Sequence, residues 1–246
     1  MVLFRSSLLP LAALSVGHCG RWVRPAAAVP SAHAHASARA GRSAWLRQVP
    51  VLCFAGLLVA GAQASTVVVD VADAAGLPLA GAVVFLDSAE ARKLVKPLVG
   101  AEVAQEKRKF VPGVLVVPVG TEVRFPNHDS VRHHVYSFSP AKKFELKLYS
   151  GTPSNPVLFD KPGVVVLGCN IHDQMVGWML VVETPFYGLT PAAGGKVQLD
   201  NVPPGVYTLR TWHARLPVGA PAQEQSLTVP ASGSVSVPVR VKGLEP

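Results

Sequence analysis

Three side chains that can bind a transition metal follow one apolar run of the sequence at a regular spacing. Cys169, His172 and Met175 form the pattern C-x2-H-x2-M directly after residues 163–168. Thiolate, imidazole and thioether donors together favour a soft or borderline metal ion. Because Cys, His and Met are scarce in the chain after residue 64, we interpret their coincidence within seven residues as a metal site rather than as a chance group of core and turn residues.

A second imidazole would complete a site for one copper ion. Electron-transfer copper is bound by two His and one Cys in a trigonal arrangement, with Met as a weak axial ligand. The motif supplies one imidazole, so the other should come from a neighbouring strand, where His133 or His134 can supply it. Ligands held by a rigid sandwich would change little between Cu(I) and Cu(II), which favours fast electron transfer.

The elements that must position these donors are predicted to be almost entirely β-strands. Short β-branched or alternating runs recur between turns rich in Gly and Pro, and only residues 88–94 suggest a helix. Residues 163–167 form a continuous apolar run, as in a strand buried on both faces. We predict an all-β sandwich fold with strands at residues 66–71, 82–86, 113–118, 121–125, 131–138, 144–149, 163–167, 176–183, 196–200, 205–212, 224–229 and 234–241.

Residues from about 100 to 185 resemble a cupredoxin, the family of plastocyanin, pseudoazurin and amicyanin. The resemblance lies in H-x-V at His133-His134-Val135, in G-x5-C-x2-H from Gly163 to His172, and in Asn127 six residues before His133. The short gap to Met175 matches the ligand loop of amicyanin. The resemblance implies a Greek-key cupredoxin β-sandwich that binds one copper ion, Cu(I) or Cu(II), through His133, Cys169, His172 and Met175.

The resemblance also separates the two adjacent histidines. The family ligand stands two residues before Val, which selects His133, and strand alternation agrees because His133 shares a face with Val131 and Val135. His134 stands where cupredoxins usually carry an Asn that ties the ligand loop down. We therefore expect His134 to be an exposed imidazole or to contact a partner, rather than to be a ligand.

Other residues near these motifs are assigned simpler roles. We expect His128 to lie in a surface loop, His213 to be structural, and Asp173 to stabilise the turn after His172. Trp178 and Met179 follow on the next strand, where core packing is expected.

The N-terminal segment has the composition of an export signal. Residues 1–64 hold six Arg and no acidic residue, and the apolar residues 51–60 precede Gly61-Ala62-Gln63-Ala64. We predict a leader over residues 1–64 that is cleaved after Ala64, with an uncleaved anchor as the alternative. The protein would then be periplasmic or otherwise exported, without stable membrane insertion after leader removal. The mature chain would keep one cysteine and hence no internal disulfide.

Two further segments flank the copper motifs. Residues 66–98 and 187–242 resemble the front and back halves of a carboxypeptidase-regulatory-like sandwich. We predict that this second small β-sandwich is discontinuous and is interrupted by a copper domain over residues 99–186; alternatively, residues 66–98 extend the cupredoxin sheet. Some proteins with this layout are labelled methylamine-utilisation proteins, and the resemblance suggests that context.

Charge and ligand content limit the function classes. The formal charge is +8, but six of the 23 basic residues and none of the 15 acidic residues lie in the leader, which leaves 17 basic against 15 acidic residues. No clustered basic face for nucleic acid is predicted. A copper oxidase or nitrite reductase needs further His-x-His pairs, which are missing after the leader, and a binuclear copper centre needs a second Cys. We therefore predict that the chain is not an enzyme.

The favoured function is that of an exported mononuclear type 1, or blue, copper protein. It would carry single electrons between redox partner proteins, such as a dehydrogenase or a cytochrome. The alternative is a periplasmic copper carrier or chaperone without an electron-transfer role, which is disfavoured because the mature chain has no Met-rich or His-rich tail. A β-sandwich binding module with a vestigial site is disfavoured by the intact ligand set.

Overall fold

Almost all the regular structure of this chain is β-strand. A computed structural model describes residues 64–246. The predicted leader, apart from Ala64, therefore lies outside the described residues, as do the other cysteines, Cys19 and Cys53. Among the described residues there is a single α-helix, of five residues. The prediction of an all-β fold is confirmed.

The strands follow one another with few long connections. In chain order, the elements of the described residues are β1 (Ser65–Ala72), β2 (Val83–Asp87), α1 (Ala89–Lys93), β3 (Ala101–Glu102), β4 (Ala104–Glu106), β5 (Lys109–Val111), β6 (Val114–Pro118), β7 (Thr121–Arg124), β8 (His133–Ser139), β9 (Lys142–Tyr149), β10 (Val157–Phe159), β11 (Gly163–Cys169), β12 (Val176–Val182), β13 (Tyr187–Leu189), β14 (Lys196–Val202), β15 (Gly205–Trp212), β16 (Gln223–Val229) and β17 (Ser234–Arg240).

The first two and the last five strands form one pair of sheets. Their orders are β14-β1-β17 and β13-β2-β15-β16. Strand β1 alternates strictly between buried and half-buried residues, because every second side chain points to the core side of the sheet. Val67 and Val69 of β1 are fully buried in the same core as Leu86 and Leu209 of the second sheet.

Strands β3 to β12 form the remaining sheets. The five-stranded sheet has the order β6-β12-β11-β8-β9, a three-stranded sheet has the order β10-β7-β3, and β4 pairs with β5 as a hairpin. Their shared core contains Val165 and Leu167 of β11, together with Val123, Phe125 and Phe159. Cys169 continues the inward-facing series of β11, which is why alternation directs its thiol into this core.

The five-stranded sheet is covered on both faces. In β12, Met179 and Val181 belong to the core of the three- and five-stranded sheets. Leu180 and Val182 belong instead to the core that holds Val67 and Leu86. A strand buried on both faces needs a continuous apolar sequence, and β11 and β12 have one.

The grouping of the sheets corresponds to two sandwiches in contact. We propose that these are the two domains predicted from the sequence, residues 66–98 with 187–242 and residues 99–186. All the described residues belong to one compact unit. No helix in this part of the chain is both long and apolar enough to cross a membrane.

One glycine marks a close approach of two backbone segments. A Cβ on Gly195 would overlap the carbonyl oxygen of Val71 and would lie 2.9 Å from the backbone nitrogen of Leu79. The backbone N–H of Val71 donates to the Gly195 carbonyl over 2.6 Å, so the segments cannot separate without losing this hydrogen bond.

We expect Gly195→Ala to lower the free energy of unfolding by about 3 kcal/mol, because the backbone has no room for a methyl group there. The measurement is urea unfolding. Gly194→Ala is the matched control, since a Cβ on Gly194 has no neighbour within 4 Å. Equal unfolding midpoints for the two variants would contradict the prediction.

Candidate metal centre

Two imidazoles and a thiol converge at one end of the five-stranded sheet. The Cys169 Sγ lies 3.8 Å from His133 Nδ1 and 3.9 Å from His172 Nδ1, and the three donor atoms lie within 4.8 Å of one another. Nitrogen and sulfur ligands at about 2.0–2.3 Å from a shared metal in a trigonal plane would be separated by about 3.8 Å. The observed separations therefore fit three ligands of a single ion.

The donors come from three parts of the fold. Cys169 is the last residue of β11 and is paired with Val135 of β8. His133 is the first residue of β8, two positions before Val135. His172 lies in the loop between β11 and β12, where the Met175 N–H donates to the His172 carbonyl over 2.8 Å and closes a turn. Backbone pairing and a tight turn thus bring together residues 36 positions apart in sequence.

Met175, the fourth ligand predicted from the sequence, is also near this end of the sheet. Its side chain is 1 % exposed and belongs to the same core cluster as Cys169. A buried thioether in this core is consistent with an axial ligand, and this role of Met175 stays a prediction.

The centre is buried on all but one edge. His133 is fully buried and Cys169 is 3 % exposed, whereas His172 is half-buried. The neighbouring Ile171 is 46 % exposed. The ring of His172 is therefore the part of the donor set nearest to solvent.

An acidic residue that the sequence analysis missed orients the buried histidine. The Oδ2 of Asp129 lies 2.8 Å from His133 Nε2, so the ring donates its Nε2–H to this carboxylate and turns the lone pair of Nδ1 towards Cys169. Histidines that bind metals usually donate their second nitrogen to such an acceptor, which fixes the tautomer and the orientation of the ring.

The carboxylate of Asp129 is itself held by a hairpin turn. The backbone N–H groups of Lys107 and Arg108 donate to Asp129 over 2.6 and 2.8 Å. Burial opposes ionisation of Asp129, but the hydrogen bonds from the Arg108 N–H, the His133 ring and the Lys107 N–H together hold its pKa below the ordinary value of 3.8. Asp129 is therefore a charged acceptor for His133.

The hairpin turn has an unusual backbone. Lys107 and Arg108 have φ angles of 51° and 58°, a region that non-glycine residues rarely occupy. Two-residue turns of this kind usually carry Asn-Gly or Asp-Gly, so the Lys-Arg sequence gives no signal for one. Lys107 and Arg108 are exposed, as expected for charged residues, but the sequence does not predict their contact with Asp129.

Asn127, a residue of the family resemblance, fixes the loop that carries Asp129. Its Oδ1 accepts from the Asp129 N–H over 2.9 Å, and its Nδ2 donates to the carbonyl oxygens of Val131 and Tyr149, each over 2.9 Å. Asn127 is 5 % exposed, so these bonds are shielded from water. Asn127 thus ties the loop both to its own end and to β9.

Tyr149 and Gln105 form further hydrogen bonds next to Asn127. The Tyr149 hydroxyl donates to the carbonyl of Phe125 over 2.7 Å and accepts from Gln105 Nε2. Burial raises the pKa of Tyr149 to about 12, so the phenol keeps its proton and remains a donor. Tyr149 is paired with His133 across β8 and β9.

Of the two roles expected for His134, that of an exposed imidazole is wrong, whereas contact with a partner stays a prediction. His134 is 7 % exposed because Glu145 of β9 and the ring of Tyr136 cover it; its Nε2 lies 2.9 Å from Glu145 Oε1. The pairing of β8 with β9 is irregular between His133 and Val135, where simple alternation no longer assigns faces. His134 is not among the three residues that converge.

Four further residues whose roles were predicted from the sequence are described by the structure. His128 is exposed in its loop and lies 2.9 Å from Glu106, as expected for a surface residue. Asp173 is exposed within the turn between His172 and Met175. Met179 is fully buried and Trp178 is partly buried against the other core, so the expectation of core packing is confirmed for both.

His213 is a structural residue at the end of β15, in the sandwich formed by the sheets β14-β1-β17 and β13-β2-β15-β16. Its Nε2 donates to the Ala80 carbonyl over 3.0 Å, and its Nδ1 accepts from the Arg215 N–H over 3.1 Å. Burial lowers the pKa of His213 below the ordinary value of 6.5; the bond to Ala80 opposes the shift and the charge of Arg215 adds to it. The neutral ring is the form that serves both partners.

Comparison with known proteins gives partial structural matches. The sequence matches no family model, and no curated protein is significantly similar to it. A Cu-containing nitrite reductase (NirK) from Thermus scotoductus SA-01 matches with 28 % identity over 35 % of this chain and 25 % of that chain, at a TM-score of 0.32. A purple cupredoxin from Nitrosopumilus maritimus matches with 26 % identity over 33 % of this chain and 99 % of that chain, at 0.30.

A mutant of amicyanin in its reduced state is a third match. It has 22 % identity over 40 % of this chain and 98 % of that chain, at a TM-score of 0.30. Each of these matches leaves more than half of the present chain uncovered, and this chain spans a quarter of the nitrite reductase. The function therefore has to be argued from the residues of this chain.

We expect Asp129→Ala to weaken Cu(II) binding about tenfold or more, because the His133 ring loses the acceptor that orients it. Competition with a chelator of known affinity measures the effect. Asp173→Asn is the matched control, because it removes the exposed carboxylate of the residue after His172 and leaves the acceptor of His133 in place. An equal loss of affinity in both variants would show that charge near the site matters, and not the orientation of His133.

We expect stability to depend on pH through His213. The His213 ring of the folded chain binds a proton less readily than that of the unfolded chain. The neutral His213 therefore contributes its full share to the free energy of unfolding above about pH 6.5, and this share is lost as the pH falls towards and through the lowered pKa. Urea unfolding at several pH values should show a steeper acid loss for the natural chain than for His213→Gln. Parallel pH profiles of the free energy of unfolding for the natural chain and His213→Gln would contradict the contribution of His213.

Proposed function

We propose that this chain is a mononuclear type 1 copper protein of the cupredoxin kind that carries single electrons. The observation that carries the proposal is the convergence of His133 Nδ1, Cys169 Sγ and His172 Nδ1 at separations of 3.8 and 3.9 Å, with Met175 buried in the same cluster. The metal ligands proposed are His133, Cys169, His172 and Met175.

The chemistry of the donors favours copper over other metals. Two imidazoles and one thiolate with a neighbouring thioether correspond to the ligands of an electron-transfer copper ion. Structural zinc sites have four Cys or His ligands, whereas catalytic zinc sites keep one position open for water. The fourth residue here is a buried Met, which suits neither type of zinc site.

The residues of the chain keep the site rigid. Copper bound there would alternate between Cu(I) and Cu(II) and thereby take up and release one electron. Cys169 is fixed by its place on β11, and His133 is fixed on both sides, by β8 and by Asp129. Donors held in this way change position little when the charge of the site changes, which favours rapid transfer in both directions.

The edge at His172 is the proposed route for electrons. His172 is the half-buried member of the donor set and lies next to the exposed Ile171. A partner protein that docks at this edge would come nearest to the metal without opening the core. We propose that the partners are redox proteins, such as a dehydrogenase or a cytochrome, and that the protein is exported. The methylamine-utilisation context stays a prediction.

A copper carrier or chaperone is less well supported. Transfer of a metal between proteins needs ligands that a second protein can reach, but His133 is fully buried and Cys169 nearly so. A buried donor set of this kind favours retention of the ion. Chelator exchange distinguishes the two functions, because rapid loss of Cu(I) would favour a carrier.

We expect the Cu(II) form to be intensely coloured by charge transfer from the Cys169 thiolate, and Cys169→Ser to abolish the colour. Met175→Leu should keep the colour and raise the reduction potential, because an axial donor to Cu(II) is lost. Visible absorption, electron paramagnetic resonance and voltammetry measure these changes.

His134→Gln is the control for these variants, since it removes the adjacent imidazole without touching the proposed ligands. Its colour and potential should remain close to those of the natural chain. Loss of colour in His134→Gln but not in a His133→Gln variant would show that His134, and not His133, is the ligand. A colourless natural protein loaded with Cu(II) would refute the type 1 site.

A further inference from the structure

An apolar groove crosses the five-stranded sheet on the face opposite to the thiol of Cys169. It has a volume of about 420 Å³, and none of the residues that line it is charged. Its walls include Tyr136 and Phe138 of β8, Val166 and Gly168 of β11, Val176 at the start of β12, and Val218 on the connection between β15 and β16. We call this surface the aromatic groove.

The aromatic groove is apolar and yet open to solvent. Phe138 is 76 % exposed, Val218 is 83 % exposed and Val176 is 40 % exposed. The ring centroids of Tyr136 and Phe138 lie 5.1 Å apart. Exposed apolar side chains that line one groove are typical of a surface that another protein covers, and aromatic residues are enriched in such interfaces.

The backbone of β11 sets the position of the Tyr136 ring. Gly168 is paired with Tyr136 across β11 and β8, and a Cβ on Gly168 would lie 2.7 Å from Tyr136 Cζ and 2.8 Å from its Oη. The ring therefore occupies the space that a side chain at position 168 would take. A groove whose floor is fixed by strand pairing needs little ordering when a partner binds, which favours affinity.

Two lysines border the aromatic groove on β9. The exposed residues Lys143, Glu145 and Lys147 alternate along this strand with half-buried residues that pack against the core of the donor set. Because successive side chains of a strand point to opposite faces, the three charged side chains lie on the outer face. Lys143 is also paired directly with Phe138 of β8.

The positive charges of this border are free to pair with a partner. Neither Lys143 nor Lys147 forms an ion pair with another residue of the described part of the chain. Glu145, which lies between them in sequence, is engaged by His134 instead, with its Oε1 2.9 Å from His134 Nε2. The groove thus has an apolar floor and a basic border, which an apolar centre with an acidic rim would complement.

The same charges argue against two other occupants. A second copy that docked through the same face would bring Lys143 and Lys147 close to their own equivalents, and like charges across an interface are unfavourable. The segment before the described residues holds six Arg and no acidic residue, so it does not complement a basic border either.

We propose that the aromatic groove is the docking surface of a separate protein whose contact surface has an apolar centre and an acidic rim. A carrier of single electrons exchanges with a donor and with an acceptor, so a second docking surface besides the His172 edge agrees with the proposed function. Only the redox identity of this partner rests on that function, because the docking needs no copper.

Three short peptides with blocked ends test the chemistry of the partner. The acidic Trp peptide has a central tryptophan between two pairs of glutamates, the acidic Ala peptide has alanine in its place, and the basic Trp peptide has lysines for glutamates. Each is titrated to about 10 mM into the full chain labelled with ¹⁵N, with Cu(I) and without metal, because ligands of this size bind weakly. We expect the acidic Trp peptide to shift the amide resonances of Tyr136, Phe138 and Lys143 together, with an affinity at least about tenfold above that of the other two peptides.

Three outcomes of these titrations would overturn the proposal. They are equal shifts with all three peptides, shifts confined to the residues around Ile171 at the His172 edge, and shifts of the groove resonances on concentrating the chain alone, which would identify a second copy as the occupant. The colour of the Cu(II) form separates this proposal from the proposed function. A colourless protein that binds the acidic Trp peptide refutes the copper site alone, whereas a coloured protein that does not bind it refutes the docking surface alone.

Charge reversal tests the basic border. Lys143→Glu and Lys147→Glu should each lower the affinity for the acidic Trp peptide about threefold or more, and should raise that for the basic Trp peptide. Lys242→Glu is the matched control, because it reverses the charge of an exposed lysine beyond β17, outside the groove. An equal loss of affinity in all three variants would show that net charge acts, and not the groove.

Removal of one ring tests the apolar floor. Phe138→Ala should lower the affinity for the acidic Trp peptide about fivefold or more, because the ring that packs on the tryptophan is lost. The chain should remain folded, since Phe138 is 76 % exposed. Val206→Ala, at a residue of β15 that is 67 % exposed, is the matched control. Unchanged affinity in a folded Phe138→Ala variant would overturn the proposal, even where the lysine variants lose affinity.

Discussion

The register between β11 and β8 is the constraint on which the metal centre depends. Cys169 is paired with Val135, and this pairing places His133, which stands two residues before Val135 on β8, on the side of the thiol. A shift of one residue would move every side chain of the strand to the opposite face. The register is in turn secured by the buried side chains of β11, since Val165 and Leu167 are fully buried on the same face as Cys169. Apolar packing along the strand thus fixes the position of the polar donors at its end.

Those parts of the protein that follow from local chemistry could be predicted from the sequence. Cys169 ends β11 and His172 follows three residues later, so their spacing alone indicates that these two side chains meet; the axial role of Met175 stays a prediction. The long strands were recognisable because alternation or continuous apolarity reports how many faces are buried. The choice of His133 needed a family resemblance as well, because two adjacent histidines are almost equally distant from Cys169 in sequence.

The features that escaped prediction depend on contacts between distant segments. Asp129 is unremarkable as a loop residue, and its role arises only where the turn at Lys107 and Arg108 meets His133. Strands β3, β4, β5, β10 and β13 have two or three residues each, too few for any periodicity to appear. His134 is expected from alternation to be exposed, yet a local irregularity in the pairing and a neighbouring glutamate bury it.

The turn and the carboxylate that position His133 each carry a local cost in folding free energy. Two residues of the β4–β5 turn occupy a left-handed conformation that costs about 1 kcal/mol or more each, and a charged carboxylate is held partly out of water. Such costs persist only where the surrounding structure over-determines them. Here the other face of the five-stranded sheet packs Leu180 and Val182 into the core that holds Val67 and Leu86, which adds apolar burial to that of the core around Cys169. The burial of Leu180 and Val182 in that core therefore helps to hold the sheet that carries Cys169 and His133.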